Sequence, residues 1–119
     1  MPYDIHTDVK YRPRELVELG RLADEAPSKW WNQTLTQVNE SVVRVGVFEG
    51  EFHWHKHDRE DEFFYVVSGR LFIDLEGHTV TLEPRQGLTV PKGVMHRTRA
   101  PTRTVVLMVE PATVVATGD

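Results

Sequence analysis

Residues 53–62, HWHKHDREDE, set His53, His55 and His57 at alternate positions and close on Glu62. Imidazole nitrogen and carboxylate oxygen are the ligands that a protein without thiolates offers a transition metal, and this chain has no cysteine. A further histidine, His96, ends the turn-like segment VPKGVMH. In a strand, successive side chains point to opposite faces, so His53, His55 and His57 share one face while Phe52, Trp54 and Lys56 take the other. Two adjacent histidines on one face can converge on a single ion, and a hairpin-like reversal would return Glu62 beside them. Asp58, Glu60 and Asp61 are alternative carboxylates, although charged runs between strands usually face water.

The elements that must position these residues are mostly β. One helix comes early: Pro13 suits a first helical position, and Leu16, Leu19, Leu22 and Ala23 recur at helical spacing between Arg14, Glu15, Glu18 and Arg21, until Ala26-Pro27-Ser28 ends the run. Beyond about residue 34, short valine-, threonine- and aromatic-rich segments predict strands at 34–38, 42–48, 51–55, 62–67, 71–75, 78–82, 88–90, 97–99, 104–109 and 113–115. Gly50, Gly69, Gly77, Gly87 and Gly93 mark turns between them, a rhythm that predicts an all-β sandwich or barrel. The division is an N-terminal segment with a helix over 1–33 and a β-barrel over 34–119. Trp30 and Trp31 read as a docking anchor, for the helix or for a second subunit.

A chain of 119 residues makes one domain with a single core. Its 14 basic and 18 acidic residues are mixed along the sequence, net −4, so no basic stripe is offered to nucleic acid. The amino terminus lacks an apolar signal region, and the longest apolar run, Val105–Val109, is far short of a membrane span. The expectation is a cytoplasmic protein without a membrane or nucleic-acid partner.

His55-Lys56-His57, four residues, Glu62, six residues, Gly69 is similar to the first motif of the cupin superfamily, and Pro91-Lys92-Gly93, two residues, His96 resembles the core of its second. Pairing His53 with His55 and Glu60 keeps the spacing but puts Val67 where the family has glycine, so the later register fits better. Seventeen residues separate Gly69 from Gly87 between the two motifs. FHWHKH, DEFFYVVSGRL, VPKGVMHR and EPATVVATGD resemble small single-domain bacterial cupins of unassigned function, some of which carry a mannose-6-phosphate isomerase-like label that rests on fold. The chain departs from the general motifs in Gly50, one residue closer to the first ligand, in Arg85 in place of an opening glycine, and in Ala100 in place of a closing asparagine.

The resemblance implies a cupin double-stranded β-helix, a jelly-roll barrel, with a divalent transition metal (iron, manganese, nickel, zinc or copper) held by His55, His57, Glu62 and His96. Three neutral imidazoles and one carboxylate would leave the ion net positive, with open positions for an oxygen-rich ligand. Dioxygenase- or isomerase-like chemistry on a small molecule follows, or ligand binding without turnover. His53, on the ligand face but outside the ligand set, is the candidate proton-transfer residue, its alternative role being to line the barrel. Arg44, Arg97 and Arg99 could hold an anionic substrate if they pointed inward, and alternation from His96 turns Arg97 and Arg99 outward. Small cupins resemble one another in forming dimers, so a homodimer is expected.

Overall fold

Val42, Arg44, Gly46 and Phe48 alternate with Val43, Val45 and Val47, and in the computed structural model, which describes residues 3–119, both faces of this strand are covered. Met1 and Pro2, at the head of the expected N-terminal segment, lie outside the described residues. The chain order is β1 (Asp4–His6), α1 (Leu19–Glu25), β2 (Trp30–Val38), β3 (Ser41–Glu51), β4 (Glu62–Ser68), β5 (Leu71–Leu75), β6 (His78–Leu82), β7 (Gly87–Val90) and β8 (His96–Pro111). The architecture is the expected all-β jelly roll with one short helix.

β8 organises the sheet. Its Val105–Val109 stretch lies between β3 and β4, while His96–Arg99 pairs with β5. The remaining order is β1-β2-β3-β8-β4-β7, with β6 on β5. Inward positions of β8 are buried in alternation: His96, Thr98, Ala100, then Thr104, Val106, Met108 and Glu110. The barrel interior holds Trp30, Phe48, Phe52, Phe64, Val66, Leu71, Ile73 and Met108 among others. A second cluster, Trp31, Leu35, Val45 and Val47, lies outside the barrel wall beneath Leu19, Leu22 and Ala23. The two tryptophans therefore serve opposite faces of β2. Trp31 anchors the helix, and Trp30 stacks on Phe48 with ring centroids 4.2 Å apart.

Four local expectations are corrected. The helix begins at Leu19 rather than Pro13: Lys10 and Tyr11 donate backbone hydrogen bonds to Thr34 and Leu35, and Arg14 takes a left-handed φ of 75° that no right-handed helix accommodates. Leu16 is consequently exposed instead of joining the apolar stripe. The expected strands 97–99 and 104–109 form a single strand, because Pro101 falls where the ladder passes from one partner to the next and no N–H is needed. The expected strand 51–55 stops at Glu51, with His55 alone bridging to His96, and Thr113–Val115 forms no strand.

Gly69 and Gly77 both take left-handed φ, 87° and 88°. A side chain at Gly69 would meet Thr104 Cα at 2.8 Å and Arg103 O at 2.9 Å, whereas nothing lies within 4 Å of one at Gly77. Gly69→Ala should therefore cost about 2–4 kcal/mol, and Gly77→Ala only about 1–2 kcal/mol, the cost of the backbone conformation alone. Denaturant unfolding of the two variants checks this, and equal losses would contradict it.

Candidate metal centre

The site is assembled by backbone pairing. His55 N–H donates to His96 O (2.9 Å) and His96 N–H donates to His55 O (2.8 Å), which sets the two rings side by side with centroids 4.4 Å apart. Phe52 N–H donates to Thr98 O at 2.9 Å, and Gly93 N–H donates to His57 O at 2.7 Å, so the irregular 52–61 segment is tied to the start of β8 and to the Pro91–Gly93 turn. Glu62 opens β4 opposite Val90. Ligand atoms of His55, His57, Glu62 and His96 then all lie within 4.8 Å of one another.

All four side chains are buried, His57 and His96 to 2 % and 1 % exposure. Glu62 Oε1 is 3.3 Å from His57 Nε2 and 3.5 Å from His96 Nε2, yet none of the three atoms has an aligned hydrogen-bond partner among the described residues. With metal–nitrogen and metal–oxygen bonds of about 2.1 Å, neighbouring ligand atoms on one ion stand about 3 Å apart and opposite ones about 4.2 Å, so the donor set fits a single ion. Nδ1 of His55 contacts His53 O at 3.0 Å, and Nδ1 of His96 contacts Val94 O at 2.9 Å. A carbonyl only accepts, so each Nδ1 carries the proton and each Nε2 presents its lone pair to the centre.

Burial pushes His55 down to about 4, with opposing help to the charged form from the His53 carbonyl. Burial also pushes His57 down, but the nearby Glu62 carboxylate outweighs it and holds His57 above its ordinary value. Glu62, penalised by burial, is nevertheless held well below the usual carboxylate range by His57, His96 and Glu110. Glu110 is pushed up to about 10, first by burial and then by Glu62, against the pull of Arg44. The buried carboxylate pair thus carries one charge, on Glu62.

The structure brings together the four residues singled out by spacing and turns His53 outward. His53 is exposed: its Nε2 donates to Thr117 O at 2.7 Å, its Nδ1 faces Tyr3 Oη at 3.3 Å, and its ring centroid is 5.4 Å from that of His55. Strand alternation fails here because the segment leaves the sheet after Glu51. Phe52 packs into the core, and exposed Trp54 lies under the Arg97 guanidinium. The loop acids fasten the loop: Asp61 accepts from Lys92 N–H at 2.9 Å, Glu60 from the Thr113 hydroxyl at 2.8 Å, and Asp58 pairs with Lys56. His57, Glu60 and Asp119 also approach one another, but Glu60 and Asp119 are not buried. Arg97 and Arg99 point away from the centre, both to Asp74. His6 and His78 are exposed.

Arg44 does point inward. It is 3 % exposed, with Nη1 3.0 Å from Glu110 Oε2. With Asn32 and Glu110 it lines a cavity of ≈ 370 Å³, open mouth included, whose other walls include His55, Glu62, Trp30, Phe48, Phe52, Phe64 and Met108. Asn32 and Glu110 were not singled out in the sequence. The signal for Glu110 is that it falls on the inward alternation of Thr104, Val106 and Met108, where a carboxylate is out of place.

Residues 41–110 match the cupin domain family Cupin_2. An uncharacterised protein, YdbB of Bacillus subtilis, is 43 % identical over 97 residues, 81 % of this chain and 86 % of that protein. A shorter match joins the chain to the polyketide synthase CurC of Streptomyces cyaneus, 49 % identical over 45 residues, covering 38 % of this chain and 29 % of CurC. The crystal structure of a cupin-2 domain-containing protein from Shewanella frigidimarina superposes with a TM-score of 0.77 at 27 % identity, over 81 % of this chain and 94 % of the other. With barrel, motif residues and relatives in agreement, the chain belongs to the cupin family.

Proposed function

We propose that His55, His57, Glu62 and His96 hold one divalent transition metal ion, and that the chain is an enzyme acting there on a small oxygen-rich molecule, with dioxygenase- or isomerase-like chemistry. The observation that carries this reading is the convergence of four buried ligand atoms beside a cavity, three of them without a hydrogen-bond partner among the described residues. Each such atom left unmatched would cost about 1–3 kcal/mol, a penalty that one ion removes for all of them. A bound ion of iron, manganese, nickel, zinc or copper would supply Lewis-acid polarisation of a ligand oxygen. The His53 and Val94 carbonyls orient the imidazoles, Glu62 brings the negative charge, and Phe52 and Phe64 narrow the access of water. The similarity to a polyketide synthase is compatible with an oxygen-rich substrate.

His53 is the proposed acid or base at the mouth, where Tyr3 Oη faces its Nδ1. A second reading, a binding module without turnover, is favoured by the engagement of both His53 nitrogens with Thr117 and Tyr3, which leaves neither free to act on a ligand. A homodimer is also proposed, supported by exposed Val38, Val67 and Val109 on the strands.

Metal analysis of purified variants tests the centre. His57→Ala and His96→Ala should lose at least about tenfold in metal affinity, while Glu60→Gln and His53→Gln keep the ion at wild-type stoichiometry. Full occupancy in His57→Ala would defeat the assignment.

The pH dependence follows from His57. Its raised pKa means that acidification protonates it before pH 6.5 is reached, and a protonated imidazole cannot bind metal. Metal affinity should fall by about tenfold or more per pH unit once that range is entered. The stripped protein obeys a different rule. His55 is depressed to about 4 from 6.5, so its contribution to stability is present above 6.5 and lost as pH falls towards 4. His57 has the opposite sign, its contribution present below 6.5 and lost as pH rises through its raised value. Calorimetric metal titrations from pH 8 to 5 giving a constant affinity would contradict the ligand set. Light scattering at micromolar concentration should return the mass of two chains, and a monomer mass would exclude the dimer.

A further inference from the structure

Arg44 is a buried cation with donors to spare. Its Nη1 lies near Glu110 Oε2, yet neither Nη1 nor Nε has an aligned acceptor among the described residues. A guanidinium carries five N–H donors in a planar fork, and removing it from water with so few partners is costly. Two acceptors in the same cavity wall are also unmatched, Asn32 Oδ1 and Glu110 Oε1. All three side chains are at least nine-tenths buried. An apolar pair of similar volume would stabilise the barrel as well or better. The arrangement makes sense as the complement of a ligand.

The geometry points to a second subsite, beside the proposed metal centre in one cavity, that holds a small hydroxy-carboxylic acid. Arg44 takes the carboxylate, and Asn32 and Glu110 take hydroxyl protons. The assignment rests on the proposed function for the position of the metal-facing end of the ligand. A carboxylate matches the guanidinium fork in two parallel hydrogen bonds. A phosphate, larger and carrying up to two charges, would meet the charged Glu62 carboxylate in the same wall at greater cost than a singly charged carboxylate does, which disfavours it. Trp30, Phe48, Phe52, Phe64 and Met108 close the cavity around the hydroxy acid and leave no room for a larger apolar body. The enclosed part of the cavity has room for only a few water-sized groups, which limits the ligand to about the size of glycolate.

The test compares glycolate with ethylene glycol, which replaces the carboxylate by a hydroxymethyl group. Binding is measured by calorimetry on the protein as isolated, with metal content determined on the same samples. The wild type should prefer the acid, and Arg44→Met should keep its metal, bind the acid about thirtyfold more weakly and bind the diol within about twofold of wild type. If Arg44→Met does not fold, Arg44→Met/Glu110→Gln removes both members of the pair and should lose the preference equally. No preference in the wild type, or a preference that survives the loss of Arg44, overturns the subsite. Loss of metal in Arg44→Met also overturns it, since Arg44 would then be a group that positions Glu62. Absence of metal from the wild type defeats the proposed function instead, whatever the acid does.

Discussion

The reciprocal backbone pair between His55 and His96 is the interaction on which the rest of the site depends. Among the described residues it is the isolated strand bridge of the irregular stretch between β3 and β4, and with the Phe52–Thr98 and His57–Gly93 backbone bonds it fixes the height at which His55 and His57 enter the barrel. Because the pair is antiparallel and reciprocal, the two rings must stand on the same side of the sheet. Each ring is then locked through Nδ1 by a nearby carbonyl, leaving Nε2 no direction but inward. The rotamer and tautomer of two ligands are thus set by main-chain geometry, before any ion is considered.

Holding such a centre requires a wall that tolerates polarity on one face and excludes water on the other. β2 and β3 provide it. Their outward face is sealed by α1 over Trp31, Leu35, Val45 and Val47. Their inward face carries Asn32 and Arg44 between Trp30 and Phe48. Polar groups placed so deep give up stability, because part of their hydrogen-bonding capacity is left unmatched. The helix and the outer cluster offset that loss with apolar burial, at about 25 cal/mol per Å² removed from water. The short N-terminal segment is therefore structural support for the polar interior and not an appendage.

Charge is distributed with the same economy. Glu62 and Glu110 face each other in one buried space, where two carboxylates cannot both ionise at low cost. The imidazoles beside Glu62 and the guanidinium beside Glu110 divide the roles: the charge stays where the histidines are, and the proton stays with Glu110. Outside the barrel, Asp74 gathers Arg97 and Arg99 on the solvent side of β8, so these arginines brace the sheet and leave Arg44 as the cation of this cavity among its described lining residues.

The amino-acid sequence by itself determined the strand rhythm and the all-β class, written in short-range pattern as alternation along strands and glycine at turns, while the jelly roll and the proposed ligand set came through the resemblance of its motifs to the cupin superfamily. It misjudged the helix start, since Leu16 has helical spacing but the preceding residues are held by β2 through backbone bonds that spacing does not encode. It placed His53 on the ligand face, since alternation holds only while the chain remains in a sheet, and the chain leaves the sheet at Glu51. It was silent on Asn32 and Glu110, and for Arg44 it could offer only a condition. Those three residues are separated by 78 positions, from Asn32 to Glu110, and come together only when β2, β3 and β8 pair in register. Which way a charged side chain faces is decided by the strand pairs around it and by the water they exclude, and that belongs to the tertiary structure alone.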